Sequence, residues 1–186
     1  MMNAHRRSKQ PEQVRQQLLA VTGALAAEAG LAGLTLDAVA AAAGVSKGGL
    51  LHHFPNKAAL IDGLFARLLS EFEAAVEAAM ACDVEPVGRY SRAYVAVCFD
   101  LDQDAAGAGW RVLTIALLAE PALKGRWQAF VTKKAERHAE TDGSAGCLAA
   151  RFAADGLWLA DMLGSHRLEP PERQALKARL MALTTA

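Results

Sequence analysis

The chain has 186 residues, 53% of them hydrophobic, with 20 Lys/Arg against 20 Asp/Glu and no formal net charge at neutral pH. This is ample core material for one large domain, or for a small one followed by a larger one. It excludes a membrane-spanning helix: no apolar run approaches ~20 residues, and the longest useful one, Val112 to Ala119, lies between Arg111 and Glu120.

Alanine fills 41 positions and β-branched residues are sparse, so the fold class expected is all-α. The N-terminus carries His5, Arg6, Arg7 and Lys9 with no apolar signal segment after them, which predicts a cytoplasmic protein. Charge is uneven along the chain. Residues 1–57 hold six Lys/Arg against three Asp/Glu, and residues 58–186 hold 14 against 17. A basic front and acidic rear orient a protein toward a polyanion, and so modest an excess calls for two copies acting together.

Residues 1–10 read as a polar, basic arm. The first helix is expected from Pro11, suited to a helix start, to Ala29, with Val14, Leu18, Val21, Leu25 and Ala29 on one stripe and Gly30 ending it. Then comes the most informative stretch, LDAVAAAAGVSKGGLLHHFP from Leu36 to Pro55. Thr35 caps a short helix with Val39 and Ala40 on its apolar face, and Asp37 suits that helix's positive end. Gly44 sits where the chain reverses, and a residue without Cβ takes a left-handed conformation there at little cost. Ser46 caps a second short helix from Lys47, whose Leu50 returns to the core while Lys47, Gly48, Gly49, His52 and His53 stay mostly outward. Ala40, Gly44 and Leu50 have the spacing of a helix-turn-helix, which lays its second helix in the DNA major groove.

After Phe54, Pro55 and Asn56 a long helix is expected from Lys57 to Ala81, with Leu60, Leu64, Leu68, Phe72 and Val76 on one face. It joins an N-terminal domain, residues 1–57 (arm and helix-turn-helix), to a second helical domain, residues 58–186. Pro86 and Gly88 mark the next break. Further helices are expected at 86–103, 106–119, 121–140, 144–164 and 171–184, separated by glycines and prolines.

From about Gln10 to Phe65 the chain resembles the DNA-binding domain of the TetR family of bacterial transcriptional regulators. The residues that carry the resemblance are Thr35, Val39, Ala40, Ala43, Gly44, Val45, Ser46, Lys47, Gly48, Leu50, His53, Phe54, Lys57 and Leu60. One departure is Leu51-His52, where many members carry a tyrosine that reaches the DNA backbone. The resemblance implies a cytoplasmic, all-α regulator: a three-helix DNA reader followed by a helical domain that binds a small-molecule effector and forms a homodimer on a double-stranded DNA operator. It implies a repressor released when an effector tilts the connecting helix, and it implies that Lys57 holds the DNA backbone on the far side.

The chemistry of single residues adds to this. Lys47 can donate to guanine edges or phosphate. Gly48 and Gly49 each cost a helix ~1 kcal/mol relative to alanine, which close approach to a duplex would explain and a flexible turn would explain as well. His52 and His53 can donate to phosphate oxygens, and Thr35 and Ser46 can offer hydroxyls or backbone N–H groups. Arg6, Arg7 and Lys9 can add arm contacts or stay solvated. Adjacent histidines on a helix point about 100° apart and have no ligand partners nearby, so no metal and no cofactor are expected.

Phe72, Phe99, Trp110, Leu113, Trp127, Phe130, Trp158 and Met162 are the candidate lining of an apolar effector pocket, with plain core packing as the alternative. Leu148, Phe152, Leu159, Leu163, Leu176, Leu180 and Leu183 supply more apolar surface on the last two helices than one partner helix needs. The resemblance implies that these helices pair with their copies as a four-helix bundle. Cys82, Cys98 and Cys147 are expected as buried, inert thiols, with a redox or electrophile sensor as the alternative. An enzyme is the rival class, with Asp155, Asp161 and His166 near aromatic residues, but these lack a nucleophile elbow, a phosphate loop or a metal-ligand pattern. No catalytic residue is assigned, and Asp155 and Gly156 are read as packing residues at the subunit contact. A helical scaffold is a third reading, and it would not need the Thr35-to-Lys57 pattern.

Overall fold

The computed structural model describes residues 4–101 and 105–185, apart from the side chains of 4–10, 105–108 and 119. The expected arm contacts of Arg6, Arg7 and Lys9 lie outside the described side chains. Among the described residues there are ten helices and no strand: α1 (Ala4–Gly33), α2 (Leu36–Ala42), α3 (Lys47–His53), α4 (Lys57–Ala81), α5 (Arg89–Asp100), α6 (Ala105–Ala119), α7 (Pro121–Arg137), α8 (Ala139–Asp142), α9 (Ala145–Leu163) and α10 (Pro170–Leu183). They form two compact units, Met1–Leu69 with Ala105–Leu123, and Ser70–Asp104 with Lys124–Ala186. One helix, α4, runs from the first unit into the second.

In the first unit the expected stripe of α4 is buried, whereas on α1 only Leu18 of the expected stripe is fully buried, Val14, Val21 and Leu25 are half-buried, and Ala29 is exposed. Leu18, Leu19 and Ala26 of α1 are buried, as are Leu60, Leu64, Phe65 and Leu68 of α4 and Leu113 and Ala116 of α6. Phe54 is fully enclosed at the α3–α4 junction because Gly63 leaves it room: a Cβ at Gly63 would lie 2.7 Å from its ring. The Arg15 guanidinium lies over the same ring, 4.5 Å from its centre. The helical backbone of α1 begins at Ala4, upstream of Pro11, which corrects both the expected start and the expected arm. The break foreseen at Gly30 is a kink, with φ 67°, and a last helical turn continues to Gly33.

In the second unit α5 packs against α9 and α10. Gly88 and Gly146 are there for close approach: a Cβ on either would overlap the backbone carbonyl of Thr184 or Leu183. Gly88 is also left-handed at φ 73°, which moves the start of α5 to Arg89 from the expected 86. Its first turn is closed from 51 residues away, where the buried Asp142 carboxylate accepts from Ser91 N at 2.7 Å. The helix expected over 121–140 breaks at His138 into α7 and α8, and the His138 ring stacks on Tyr90 at 4.5 Å and 6°. Arg92 ties the loop before α5 together through Asp83 (2.7 Å), the Val87 and Glu85 carbonyls and the Thr184 hydroxyl. The helix start at Pro170 is set by a capping box between Glu169 and Glu172. Cys98 and Cys147 are buried as expected, whereas Cys82, just past the end of α4, is exposed.

Candidate nucleic-acid interface

The turn between α2 and α3 is built from local hydrogen bonds. Thr35 Oγ1 accepts from Ala38 N at 3.1 Å and Ser46 Oγ from Gly49 N at 3.1 Å, so each short helix has one of its orphan first-turn donors satisfied. Gly44 is left-handed at φ 66°, and Val45 N returns to Ala40 O at 3.0 Å to close the end of α2. Gln17 of α1 donates to the Ala43 carbonyl at 2.9 Å. With Val39 and Leu50 wholly buried, α3 has one possible outward face, and Lys47, Gly48, Leu51 and His52 lie on it.

That face is more specific than the sequence reading. The Lys47 ammonium sits 3.0 Å from the Asp37 carboxylate, with both side chains more than half exposed. Asp37 therefore has a second job besides favouring the start of α2, one that a spacing of ten residues across a turn does not announce. The two glycines separate. A Cβ on Gly49 would crowd the capping hydroxyl of Ser46 at 3.3 Å, whereas on Gly48 it would meet nothing within 4 Å. His52 and His53 lie edge to face, 5.4 Å apart, at the end of α3. Lys57 is half-buried and donates to the Leu31 carbonyl at 2.6 Å, holding the last turn of α1 against the start of α4. Asn56, not singled out from sequence, caps α4 through Ala59 N at 2.8 Å. Among the described residues no three His, Cys, Asp or Glu lie together as a metal site.

The eight residues expected around an effector pocket divide between the two units. Trp110 and Leu113 are buried in the first unit. In the second unit, Phe72 meets Tyr94 and Phe130 edge to face, and Trp127 stacks on Phe130 at 5.7 Å. Phe99 is buried beneath Arg173, while Trp158 and Met162 are half-buried on α9. None of the eight lines either of two cavities. One, of about 310 Å³, lies in the second unit between the ends of α4 and α7 and the start of α5. The other, of about 810 Å³, lies in the first unit among the last turn of α1, the start of α4 and the Ile115–Leu123 stretch, with Lys57 on its wall.

The candidate pairing residues divide as well. Leu148, Phe152, Leu159 and Leu163 are exposed on one face of α9, Phe152 by 67% and Leu163 by 68%. Gly156 lies on the same face, where a Cβ would meet open space. Leu176 and Leu183 are half-buried, and Leu180 is only 5% exposed, so it belongs to the core of its own unit. Asp155 also lies on this face, but its carboxylate accepts from the Tyr94 hydroxyl at 2.5 Å, and burial of that carboxyl holds its pKa above the ordinary carboxylate range.

Comparison with known proteins bears on the whole chain. Residues 18–64 match the family described as bacterial regulatory proteins, tetR family, and residues 88–185 match tetracyclin repressor-like, C-terminal domain. The HTH-type transcriptional regulator BetI of Burkholderia mallei (strain NCTC 10229) is 31% identical over 166 residues, covering 83% of this chain and 85% of that protein. A member of the TetR family from Streptomyces coelicolor A3 has the same fold, with a TM-score of 0.72 at 20% identity over 92% of this chain and 98% of that one. So does the multidrug binding protein EbrR complexed with imidazole, with a TM-score of 0.65 at 21% identity over 91% and 89%.

Proposed function

The chain belongs to the TetR family of bacterial transcriptional regulators, and from that premise we propose that it is a homodimeric repressor released from a palindromic DNA operator by a small-molecule effector. Membership makes it an all-α DNA-binding regulator of transcription and not an enzyme. No helix of the described residues is long and apolar enough to cross a membrane.

The observation that carries the reading is the outward face of α3, held rigid by the two caps and the left-handed Gly44. On this reading Lys47 and Gly48 meet base edges, with Gly49 allowing the backbone to come close. Thr35, Ser46, His52 and His53 meet phosphates, which fix register without reading sequence. Lys57 keeps two donors beyond its bond to Leu31 for the backbone on the far side. Residues 1–57 read DNA, and 58–186 sense and pair. The pairing surface is the exposed face of α9, where Gly156 lets a second copy approach. A two-fold axis there sets two α3 helices about one DNA turn, ~34 Å, apart. Because α4 is shared by both units, an effector that prefers one setting of α4 shifts the reader with it, by no more than its difference in affinity for the two states.

The test is a gel shift with DNA from upstream of the protein's own gene. Retardation at low salt that weakens steeply as salt rises is the expected result. Lys47→Ala should weaken it while leaving the helical circular-dichroism spectrum unchanged. Failure to retard that DNA at any salt concentration would overturn the operator reading.

A further inference from the structure

The cavity of about 310 Å³ in the second unit has a chemical character of its own. At the ~30 Å³ that a water occupies in the liquid it has room for roughly ten non-hydrogen atoms. One wall is apolar, formed by Val76, Met80 and Ala81 of α4. Another is the flat pair of Tyr90 and His138, stacked at 4.5 Å. Burial lowers the pKa of His138, which keeps this ring neutral at pH 7.

The polar groups around it are mostly donors. Lys134 is held by Glu73 and reaches Glu77 at 3.7 Å, and Arg137 lies 3.7 Å from the same Glu77, so Glu77, the cavity's carboxylate, is already shared by two cations. Arg137 stays 62% exposed, in a long and solvated pairing. Arg89 spends Nε and one Nη on the Glu85 and Val84 carbonyls, which leaves its other Nη. Tyr90 is only 5% exposed, but no buried side-chain oxygen or nitrogen among the described residues lacks a partner, so its hydroxyl, for which no protein acceptor is recorded, keeps access to water at the cavity it lines. A phenol whose tip opens on a cavity can exchange that water for an acceptor on a bound molecule.

We propose that this cavity binds a small organic anion, a carboxylate on a short apolar or aromatic body, with the acid group taken by Tyr90 Oη and the free Nη groups of Arg89 and Arg137. A guanidinium is suited to this because its fork presents two parallel donors to a carboxylate. The flat Tyr90–His138 wall and the α4 side chains take the body. A cation would find Glu77 already neutralised, and a neutral apolar molecule would leave the Tyr90 hydroxyl unsatisfied. The inference names the effector class of the ligand-released repressor proposed above, and it depends on that reading only for the consequence at DNA.

The experiment is calorimetric titration of the full-length protein with benzoate, phenylacetate and hexanoate, each beside its primary amide. At least one acid should bind, with its amide weaker by about tenfold, the usual scale for losing a charge-assisted hydrogen bond. Arg137→Gln lies at an exposed position and Tyr90→Phe keeps the ring, so both should fold with unchanged circular dichroism and weaken the acid by about tenfold. Three acids that fail to bind, an amide as tight as its acid, or wild-type affinity in both variants would each overturn the site. The same acid is then added to the gel shift. Binding without release of DNA keeps the site and overturns release by a ligand, whereas release that both variants leave unchanged overturns the site.

Discussion

At the scale of single residues, the reading face carries two substitutions whose effects on folding and on DNA part company. Gly48 has open space where a Cβ would go and lies in the first turn of α3, so Gly48→Ala should stabilise the protein by up to about 1 kcal/mol through helix propensity. If the duplex comes up against that backbone, the same methyl should weaken operator binding. Thermal melts and a binding titration read the two signs, and unaltered affinity would show that nothing approaches Gly48. Asp37 poses the converse case. Its pair with Lys47 is exposed on both sides, and such pairs contribute about 0.2–1 kcal/mol. Asp37→Asn should therefore cost little stability, yet it frees the lysine and removes a negative charge from a face meant for a polyanion. Operator affinity should rise several-fold, with a steeper dependence on salt, as measured by fluorescence anisotropy; equal or weaker binding would mean that Asp37 positions Lys47 for DNA instead of competing with it.

At the scale of elements, what could be read in advance was what is encoded locally. Thr35 and Ser46 cap the helices they were expected to cap, because a hydroxyl and an amide three residues on are neighbours in any helix start. Glycine and proline marked the breaks for the same reason. The first helix was misjudged at Pro11, which suits a helix start but did not stop the helical backbone continuing upstream. Burial was harder, since a stripe every three or four residues gives a face but not what the face meets. Trp110 shares the aromatic character of Phe72 and Phe130 but belongs to the other unit, and the 310 Å³ cavity draws on three elements that no spacing connects. Leu180 and Leu163 are equivalent in composition, but one is core and the other surface. Leu180→Glu should therefore unfold the second unit, since an unpaired buried charge costs several kcal/mol, with loss of helical signal at a lowered melting temperature. Leu163→Glu should keep the helical spectrum and give monomers by light scattering. A folded, dimeric Leu163→Glu protein would move the pairing surface away from α9.

At the scale of the whole molecule, the proposed function depends on two copies, since a net excess of three basic charges over residues 1–57 gives one copy little electrostatic hold on DNA. The proposed pairing face has an uneven composition: Phe152, Leu159 and Leu163 are apolar, but Asp155 sits among them. Burial already raises the pKa of Asp155, while its hydrogen bond from Tyr94 and the charge of Arg151 pull the other way. Covering α9 with a second copy removes more water from the same carboxyl and raises its pKa further. The dimer then holds more protons than two monomers between the monomer and dimer pKa values, and by linkage the state that binds more protons is favoured as pH falls through that window. Burial pushes the neighbouring Tyr94 and Cys98 up as well, so neither titrates below neutral. Dimerisation measured by sedimentation should therefore tighten from pH 7 toward pH 5, and Asp155→Asn, neutral at every pH, should pair more tightly at pH 7 and lose that dependence. A wild-type dimer that loosens on acidification, or an Asp155→Asn protein that retains the full pH response, would place the proton elsewhere and remove Asp155 from the contact.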